Sequence, residues 1–315
     1  MKKISVVIPC YNDSNSIFNM RNRLTSVFSE QLPNYDYEII YVDDCSPDNT
    51  WEEIQKVCKN DSHCKGVHNI TNFGPDRNIF QALKYGDGDA TFMLMGDLQQ
   101  PPEKLPEFVK YWEEGYHTVI GIFENSESKG IIGIGRKLYY KFVSAASRNK
   151  IIPNFNDFGL YDRHVINAIK QIDNVQPSVP GIIAEFGGKI KKIDVHQDNS
   201  ERGRSNMNFL KKYDAAMVGI TSYTKTLLRV STFFGFVIGG LSVVFALITF
   251  ILKLLDWNKF PMGVPSMLIG IFFLGGVQLF FLGIIGEYIM SINERSMGKP
   301  IVVIDKTINM DDGKE

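Results

Sequence analysis

Two predicted strands of this chain end in carboxylates, and the first of these ends lies in the segment Val42–Asp48. Asp43 and Asp44 directly follow an apolar run there. Ionised carboxylates accept hydrogen bonds and donate none, so they suit ribose hydroxyls, a base N–H or a metal ion. An Asx turn followed by a helix cap, with Asp48 as the capping group, explains the same residues equally well.

The second carboxylate end lies in the segment Met95–Glu103, where Asp97 closes another apolar strand and Gln99 follows it. Carboxylate and amide oxygens are hard ligands, which suit Mg²⁺ or Mn²⁺ bound together with a diphosphate. Pro102 and the residue after it predict the start of the next helix. The sequence therefore predicts that Asp97 and Gln99 are metal ligands.

The elements that must position these residues alternate between strands and helices through the first half of the chain. The predicted strands are Ile4–Ile8, Glu38–Val42, Gly66–Ile70, Thr91–Met95 and Thr118–Gly121. Amphipathic stretches between them, such as Trp51–Lys59, predict helices. This order predicts an α/β domain with a mostly parallel sheet and helices on both faces, whose ligands bind at the carboxyl ends of the strands. The segments that follow those ends are Pro9–Asp13, Asp43–Asp48, Asn72–Arg77 and Gly96–Gln99.

The middle of the chain has a weaker pattern. It predicts a helix at Arg136–Arg148 and a basic strand at Lys189–Val195, with no strand assigned between them. Residues 205–229 form a basic amphipathic pattern next to a long apolar segment. Such a helix is typical of the membrane headgroup region, and an ordinary solvated helix is the alternative.

Two apolar segments follow, at about 230–255 and 264–290, and each is long enough to cross a bilayer core of roughly 30 Å. Their connection is too short for a domain, so they predict a helical hairpin. Lysine and arginine are more frequent outside the hairpin than in its connection, which places both termini in the cytoplasm. Several glycines in the two segments permit close contact within the hairpin or between copies in a homo-oligomer, and glycines that are merely tolerated by lipid are an equal alternative.

Composition and charge exclude several classes of protein. The formal net charge of −1 argues against a general nucleic-acid binder. The four cysteines form no CxxC pair and are predicted to be reduced thiols. The N-terminal apolar run is too short for a signal peptide, so we expect the domain to begin in the cytoplasm.

These segments together resemble the GT-A fold of family 2 glycosyltransferases over roughly residues 1–120. Val7–Asp13 is similar to the family's first strand and nucleotide loop, and Val42–Asp48 is similar to its VDDGSxD motif. Asn72–Gly74 and Gly88–Ala90 resemble the segment that leads into its metal strand. The resemblance implies a Rossmann-like domain that binds a nucleotide sugar. The residues it places at the donor are Pro9, Tyr11, Asp13, Asp43, Asp44 and Asp97.

Nearly the whole chain resembles one group of that family, the polyprenyl-phosphate glycosyltransferases, which includes dolichol-phosphate mannose synthase and bacterial undecaprenyl-phosphate glucosyltransferases. Asp97–Glu103 resembles their DLQxPPE motif, Asn156–Arg163 their GDFRLMDR motif, and Gly203–Ser205 the GxS before their juxtamembrane helix. The resemblance implies that Asp157 orients or deprotonates the acceptor phosphate, although a structural carboxylate is the alternative. The residues it implies at the phosphates are Arg202, Arg204 and Ser205.

Three positions differ from the pattern of this group. Met95 occupies the place of the first aspartate of its DADLQ motif, so a metal would depend on Asp97, Gln99 and the diphosphate, because a thioether is a poor ligand for a hard cation. Phe123 stands where the group often has arginine, and Ser200 stands at a second arginine position. All three differences affect the handling of the diphosphate.

The sequence therefore predicts four segments. They are a cytoplasmic catalytic domain at 1–204, a juxtamembrane helix at 205–229, two transmembrane helices within 230–291 and a cytoplasmic tail at 292–315. The expected activity is sugar transfer from a nucleotide sugar to undecaprenyl or dolichyl phosphate at a bacterial plasma membrane, for the modification of cell-surface glycans. Another membrane acceptor, such as a glycolipid, and an inactive relative that scaffolds other membrane enzymes are the alternatives.

Overall fold

The computed structural model describes residues 1–123, 152, 155–173, 177–195 and 264–310, together with scattered residues between 232 and 255. The chain divides into two compact units. The first, called here the sheet unit, comprises residues 1–141, 149–208 and 298–315, and the second comprises residues 142–148 and 209–297. The predicted helices at Arg136–Arg148 and 205–229 lie outside the described residues, as do Arg202, Arg204 and Ser205.

The sheet unit alternates strands and helices, as its apolar pattern predicts. Its strands are β1 (Lys2–Cys10), β2 (Tyr35–Asp43), β3 (Cys64–Asn69), β4 (Ala90–Met93), β5 (Thr118–Phe123), β6 (Phe155–Asp162), β7 (Ile190–Val195) and β8 (Ile304–Ile308). Its helices are α1 (Ile17–Gln31), α2 (Thr50–Asn60), α3 (Pro75–Tyr85), α4 (Leu105–Glu113), α5 (Arg163–Lys170) and α6 (Val179–Phe186). The predicted strands and the predicted helix at Trp51–Lys59 are confirmed to within a few residues at each end.

The eight strands form one mixed sheet in the order β7-β5-β6-β4-β1-β2-β3-β8. Strands β4, β1, β2 and β3 are parallel neighbours, so their carboxyl ends meet at one edge of the sheet. Strand β6 runs antiparallel to β4, with Met93 opposite Gly159. The beginning of β6 therefore lies at the same edge as the ends of the parallel strands, and this edge is called here the carboxyl edge.

Side chains alternate between the two faces of β1 and divide the core into two layers. Ile4, Val6 and Ile8 belong to one layer, and Val7 belongs to the other. The first layer is completed by buried residues of α1, α2 and α4, and the second by buried residues of α3, α5 and α6. Helices thus cover both faces, and the sheet presents the carboxyl edge rather than a face to ligands.

Two of the eight strands have no counterpart in the sequence predictions. Strand β6 carries the motif at Asn156–Arg163 and lies between β4 and β5. Strand β8 lies in the segment 292–315, for which the sequence predicts a tail, and it pairs antiparallel with β3. Residues 298–315 of this segment therefore belong to the sheet unit. Pairing with strands that are distant in the chain leaves no local periodic signal, which is why the sequence did not indicate it.

The second unit contains one long described helix, α7 (Val264–Ser296). Its stretch Phe273–Asn293 is long and apolar enough to cross a membrane, and its large apolar side chains, such as Leu279 and Phe280, are exposed. The described residues between 232 and 255 are all helical, but half of that predicted first span lies outside the described residues. One candidate membrane helix is thus present in the described part, and the hairpin stays a prediction.

Candidate active site

The carboxyl edge is built from turns that hold ordinary residues in a left-handed backbone conformation. Among the described residues, five that are not glycine have positive φ, and four of them follow β1, β2 and β4 or begin β6. They are Asn12 (59°), Cys45 (54°), Leu98 (60°) and Asp157 (60°). Each such residue costs on the order of 1–3 kcal/mol, and such strain is concentrated at ligand sites in proteins. The backbone thus marks the same edge that the acidic motifs mark.

The turn after β1 carries Pro9, Tyr11 and Asp13. The buried Asp13 carboxylate accepts a hydrogen bond from the Tyr11 N–H at 3.0 Å, and the Asp13 N–H donates to the Thr50 hydroxyl at 2.8 Å. The Tyr11 side chain remains 37% exposed. A Cβ atom placed on Gly96 would lie 2.6 Å from Oδ2 of Asp13. The turns after β1 and β4 are therefore in direct contact.

Asp43 is the last residue of β2, and its side chain is fully buried. Nδ1 of His68 lies 2.6 Å from its Oδ2 atom, and the Ser46 hydroxyl donates to its Oδ1 atom. The His68 ring in turn stacks on Trp51, with the ring centroids 4.9 Å apart. Burial raises the pKa of Asp43, and the hydrogen bonds from Ser46 and His68 oppose that rise. Asp43 thus joins the ends of β2 and β3.

Asp44 follows Asp43 and is also buried. Its carboxylate accepts hydrogen bonds from Asn69 Nδ2 at 2.9 Å, the Phe73 N–H at 3.0 Å and the Gly74 N–H at 2.9 Å. Gly74 has φ 91°, a conformation that favours glycine. The carboxylate therefore fixes the loop between β3 and α3 at the carboxyl edge.

The turn after β4 carries the predicted metal ligands. Asp97 is half-buried, and its Oδ1 atom accepts a hydrogen bond from the Gln99 N–H at 3.2 Å. Burial raises the pKa of Asp97, and backbone N–H groups partly oppose that rise. The described residues contain no group of three or more histidine, cysteine, aspartate or glutamate side chains that could hold a metal ion. Asp97 and Gln99 are thus too few to hold a cation without oxygens from a ligand.

Gln100 connects the metal-ligand turn to β6, and it was not among the predicted site residues. Its side chain is buried, its Oε1 atom accepts from the Met95 N–H at 2.7 Å, and its Nε2 atom donates to the Asn156 carbonyl at 3.4 Å. The carbonyl that it contacts belongs to the residue before Asp157. The sequence shows only two consecutive glutamines, Gln99 and Gln100. It does not show which of them is a metal ligand and which one connects the turn to β6.

Asp157 lies at the beginning of β6, at the carboxyl edge. Its Oδ1 atom is buried and has no hydrogen-bond partner among the described residues. Burial, with the neighbouring Asp76 carboxylate as the second cause, raises the pKa of Asp157 to about 7. Its backbone carbonyl accepts a hydrogen bond from the Tyr161 hydroxyl at 2.6 Å. Asp157 is therefore a carboxyl group that exchanges its proton near neutral pH.

Asp76 is a further acidic residue of the site, which lies within the segment Asn72–Arg77 but was not among the predicted site residues. It lies in the first turn of α3, immediately after the loop that Asp44 holds. Its position two residues after Gly74 was the available signal, but an aspartate in the first turn of a helix usually serves the helix dipole. In the fold, Asp76 also lies near Asp157, and the spacing of the two residues in the sequence does not reveal this.

Comparisons with known sequences identify the relatives of this chain. The profile of the family described as Glycosyl transferase family 2 matches residues 5–170. The chain is 32% identical to an uncharacterized glycosyltransferase of Synechocystis sp., covering 96% of this chain and 94% of the relative. It is 31% identical to the bactoprenol glucosyl transferase of Shigella phage SfII, covering 97% and 98%.

A solved structure shares the fold of the sheet unit. It is glucosyl-3-phosphoglycerate synthase from Mycobacterium tuberculosis in complex with Mn²⁺, UDP-glucose and phosphoglyceric acid, with a TM-score of 0.50 at 14% identity. The match covers 70% of this chain and 78% of that chain. At this level of identity the likeness shows the fold, a mixed and mostly parallel GT-A-like sheet.

Proposed function

Because this chain belongs to glycosyl transferase family 2, we propose that it transfers a sugar from a nucleotide sugar to a polyprenyl phosphate in the membrane. The observation that carries the proposal is the similarity to bactoprenol glucosyl transferases, which is 31% identity over nearly the full length of both proteins. The long apolar helix α7 supports an acceptor that is a lipid. Bactoprenol is a polyprenol, so its phosphate is the acceptor we propose.

We propose that the nucleotide sugar binds at the carboxyl edge, between the turns after β1 and β4. The exposed Tyr11 ring offers a surface on which a nucleobase can stack. Pro9 and Asp13 belong to the same turn, and Asp13 contacts the turn that carries Asp97. Asp43 and Asp44 are buried, so we assign Asp43 to the bottom of the donor site. We assign Asp44 to hold the loop between β3 and α3 that borders this site.

The residues present fit a divalent cation only when oxygens of a diphosphate complete the coordination shell of the cation. Asp97 supplies one carboxylate and Gln99 one amide, and Met95 supplies no hard oxygen. A bound Mg²⁺ or Mn²⁺ would stabilise the negative charge of the leaving diphosphate. The raised pKa of Asp97 is consistent with a carboxylate that lacks a positive partner among the described residues.

In the proposed reaction, an oxygen of the acceptor phosphate forms a bond to the anomeric carbon of the sugar. The bond between that carbon and the nucleoside diphosphate breaks, and the diphosphate leaves with the electron pair. A phosphate monoester has its second pKa near 6, so it needs little general-base help at neutral pH. We assign Asp157, with its pKa of about 7, to orient the acceptor and take up its remaining proton.

The cations of the site are proposed from the sequence, because they lie outside the described residues. Arg202 and Arg204 are assigned to the acceptor phosphate or the donor diphosphate, since arginine forks match phosphate oxygens, and Ser205 is assigned to donate one further hydrogen bond. Three acidic side chains lie at the carboxyl edge, Asp76, Asp97 and Asp157. Because they would repel a dianionic ligand, the site requires cationic side chains to bind it.

We further propose that α7 is the second helix of a transmembrane hairpin whose first helix spans about 230–255. Both termini would then lie in the cytoplasm, and the juxtamembrane helix at 205–229 would rest at the headgroups. Proteolysis of sealed vesicles tests this arrangement. Protease on the cytoplasmic side should digest the sheet unit, and protection there with digestion from the opposite side would contradict it.

The experiment that tests the function compares three mixtures of the purified protein in detergent, which contain undecaprenyl phosphate, a diacylglycerol glycolipid or no lipid. Each is incubated with a panel of radiolabelled nucleotide sugars, and label in the organic phase is counted. Transfer to undecaprenyl phosphate alone is the expected result. Transfer only to the glycolipid would favour the other membrane acceptor, and no transfer in any mixture would favour an inactive scaffold.

A further inference from the structure

The chain returns to the sheet unit after the membrane helix and adds strand β8 to the edge of the sheet. Ile301 is buried, and β8 pairs antiparallel with β3, with Lys306 opposite His68 and Ile304 opposite Asn69. The segment Ile301–Asn309 is called here the return segment. It is joined to α7, which ends at Ser296, by only a few residues.

The return segment is held at both ends of β3. At the carboxyl edge, the Ile70 N–H donates to the Val303 carbonyl at 2.9 Å. At the opposite end, Asn309 Nδ2 donates to the Cys58 carbonyl at 2.8 Å and to the Cys64 carbonyl at 2.9 Å. The contacts with Ile70 and Cys64 therefore attach the return segment to the two ends of β3. The contact with Cys58 attaches it to α2.

Strand β3 holds Asp43 and Asp44, two of the acidic residues of the proposed donor site. Its last two residues, His68 and Asn69, contact Asp43 at 2.6 Å and Asp44 at 2.9 Å. The loop that begins at Ile70 then supplies the backbone N–H groups that hold Asp44. The order of the sheet places β2 on one side of β3 and β8 on the other, so β3 would be an edge strand without β8.

We propose that the return segment is a positioning element of the donor site: by pairing with β3 it fixes His68 and Asn69, and through them the carboxylates of Asp43 and Asp44. This inference rests on the proposed function, because it assumes that a nucleotide sugar binds at the carboxyl edge. Its consequence is that donor affinity depends on a part of the chain that follows the membrane helix. A strand that only covered an exposed sheet edge would contribute stability and leave donor affinity unchanged.

The test uses the full chain in detergent and measures the Kd for UDP-glucose and GDP-mannose by calorimetry, together with the melting temperature. Asn309→Ala removes two hydrogen bonds of the return segment and changes no residue of the carboxyl edge. Thr307→Ala, at an exposed position of the same strand, is the matched control. We expect Asn309→Ala to raise the Kd for the donor by roughly threefold to tenfold, a loss of about one net hydrogen bond or more. Thr307→Ala should leave it unchanged.

A truncation provides the second measurement. Deletion of residues 300–315 should raise the Kd at least about tenfold, and deletion of 311–315 should not. A synthetic peptide of residues 299–310 should restore donor binding to the truncated protein by adding a strand to β3. Wild-type Kd values for Asn309→Ala, with or without a lower melting temperature, would overturn the inference even if the truncated protein fails to fold. Failure of the wild-type protein to bind any nucleotide sugar would instead overturn the proposed function on which it rests.

Discussion

Nδ1 of His68 lies 2.6 Å from Oδ2 of Asp43, and this contact joins the carboxyl ends of two neighbouring parallel strands. Asp43 is fully buried, and His68 stacks on Trp51 from the first turn of α2. When Asp43 is ionised, it requires Nδ1 to be the donor, so the contact also determines which ring nitrogen carries the proton. The geometry of the proposed donor site therefore depends on a histidine that touches the acidic motif from another strand.

Replacing this histidine should weaken donor binding. His68→Leu removes the partner of a buried carboxylate, and we expect kcat/KM for the donor to fall by roughly 10- to 100-fold, the effect of leaving a buried charged group without its hydrogen bond. His164→Leu is the matched control, because His164 is exposed and lies in the first turn of α5, at the opposite edge of the sheet. Equal kinetics for His68→Leu and wild type would contradict a positioning role for His68.

The sequence was sufficient to predict the parallel part of the sheet and the position of its acidic motifs. Each of Asp43 and Asp97 follows an apolar run of strand length, and parallel strands place their ends at one edge. The same local pattern could not show that Asp43 is fully buried and Asp97 half-buried, since burial depends on contacts with distant parts of the chain. The alternative assignment of Asp48 to an Asx turn agrees with the hydrogen bond that its carboxylate accepts from the Thr50 N–H, whereas the N-cap of α2 is Asn49, which makes no side-chain capping bond.

The parts of the site that the sequence did not predict all depend on distant pairing. Gln100 acquires its role from contact with Asn156, and Asp76 acquires its role from proximity to Asp157. Strand β8 is separated from β3 by most of the chain. Which distant residues meet depends on how the strands pair and which of their faces become buried. The local pattern of residues does not specify this, so these relationships could be seen only in the fold.

The pH dependence of transfer should report the raised pKa of Asp157. Burial and the Asp76 carboxylate raise that pKa to about 7, so Asp157 is protonated below this value and ionised above it. If Asp157 takes up a proton from the acceptor, kcat/KM should rise with pH through about 7. Asp76→Asn removes the neighbouring negative charge and should move this rise to lower pH, because ionisation of Asp157 becomes easier.

A comparison of variants separates this effect from titration of the acceptor phosphate. The profile of kcat/KM against pH is measured for wild type, Asp76→Asn and the control variant Glu114→Gln, at the exposed C-terminal end of α4. Only Asp76→Asn should move the rise of kcat/KM on the acidic side of the profile, here called the acidic limb, to lower pH. A limb that stays in place in Asp76→Asn, or moves to higher pH, would show that Asp157 does not control the rate.

The metal site should depend on Asp97 and should be improved by a carboxylate at position 95. Asp97→Ala removes the only carboxylate of the predicted pair, and we expect a loss of at least about 100-fold in transfer. Met95→Asp supplies a second hard oxygen next to it and should lower the Mn²⁺ concentration required for half-maximal activity. Activity in the presence of a chelator that equals wild-type activity with metal, together with an unaffected Asp97→Ala variant, would show that Asp97 is not a metal ligand.

The two arginines before the juxtamembrane helix should contribute most of the positive charge at the phosphates. Replacing both Arg202 and Arg204 with alanine should cost on the order of 2–4 kcal/mol of transition-state stabilisation, or roughly 30- to 1000-fold in kcat/KM. Lysine at both positions retains the charge but loses the paired donors, so it should restore part of the rate. A double alanine variant with wild-type kinetics would remove these residues from the proposed mechanism.

The most direct test of the central claim is identification of the lipid product by mass spectrometry. Purified wild-type protein is given undecaprenyl phosphate and the nucleotide sugar that it binds, and Asp157→Asn serves as the matched low-activity variant. We expect a product whose mass equals undecaprenyl phosphate plus one hexose residue, which mild acid cleaves and which Asp157→Asn forms far more slowly. A sugar found on another lipid, with undecaprenyl phosphate recovered unchanged, would contradict transfer to a polyprenyl phosphate.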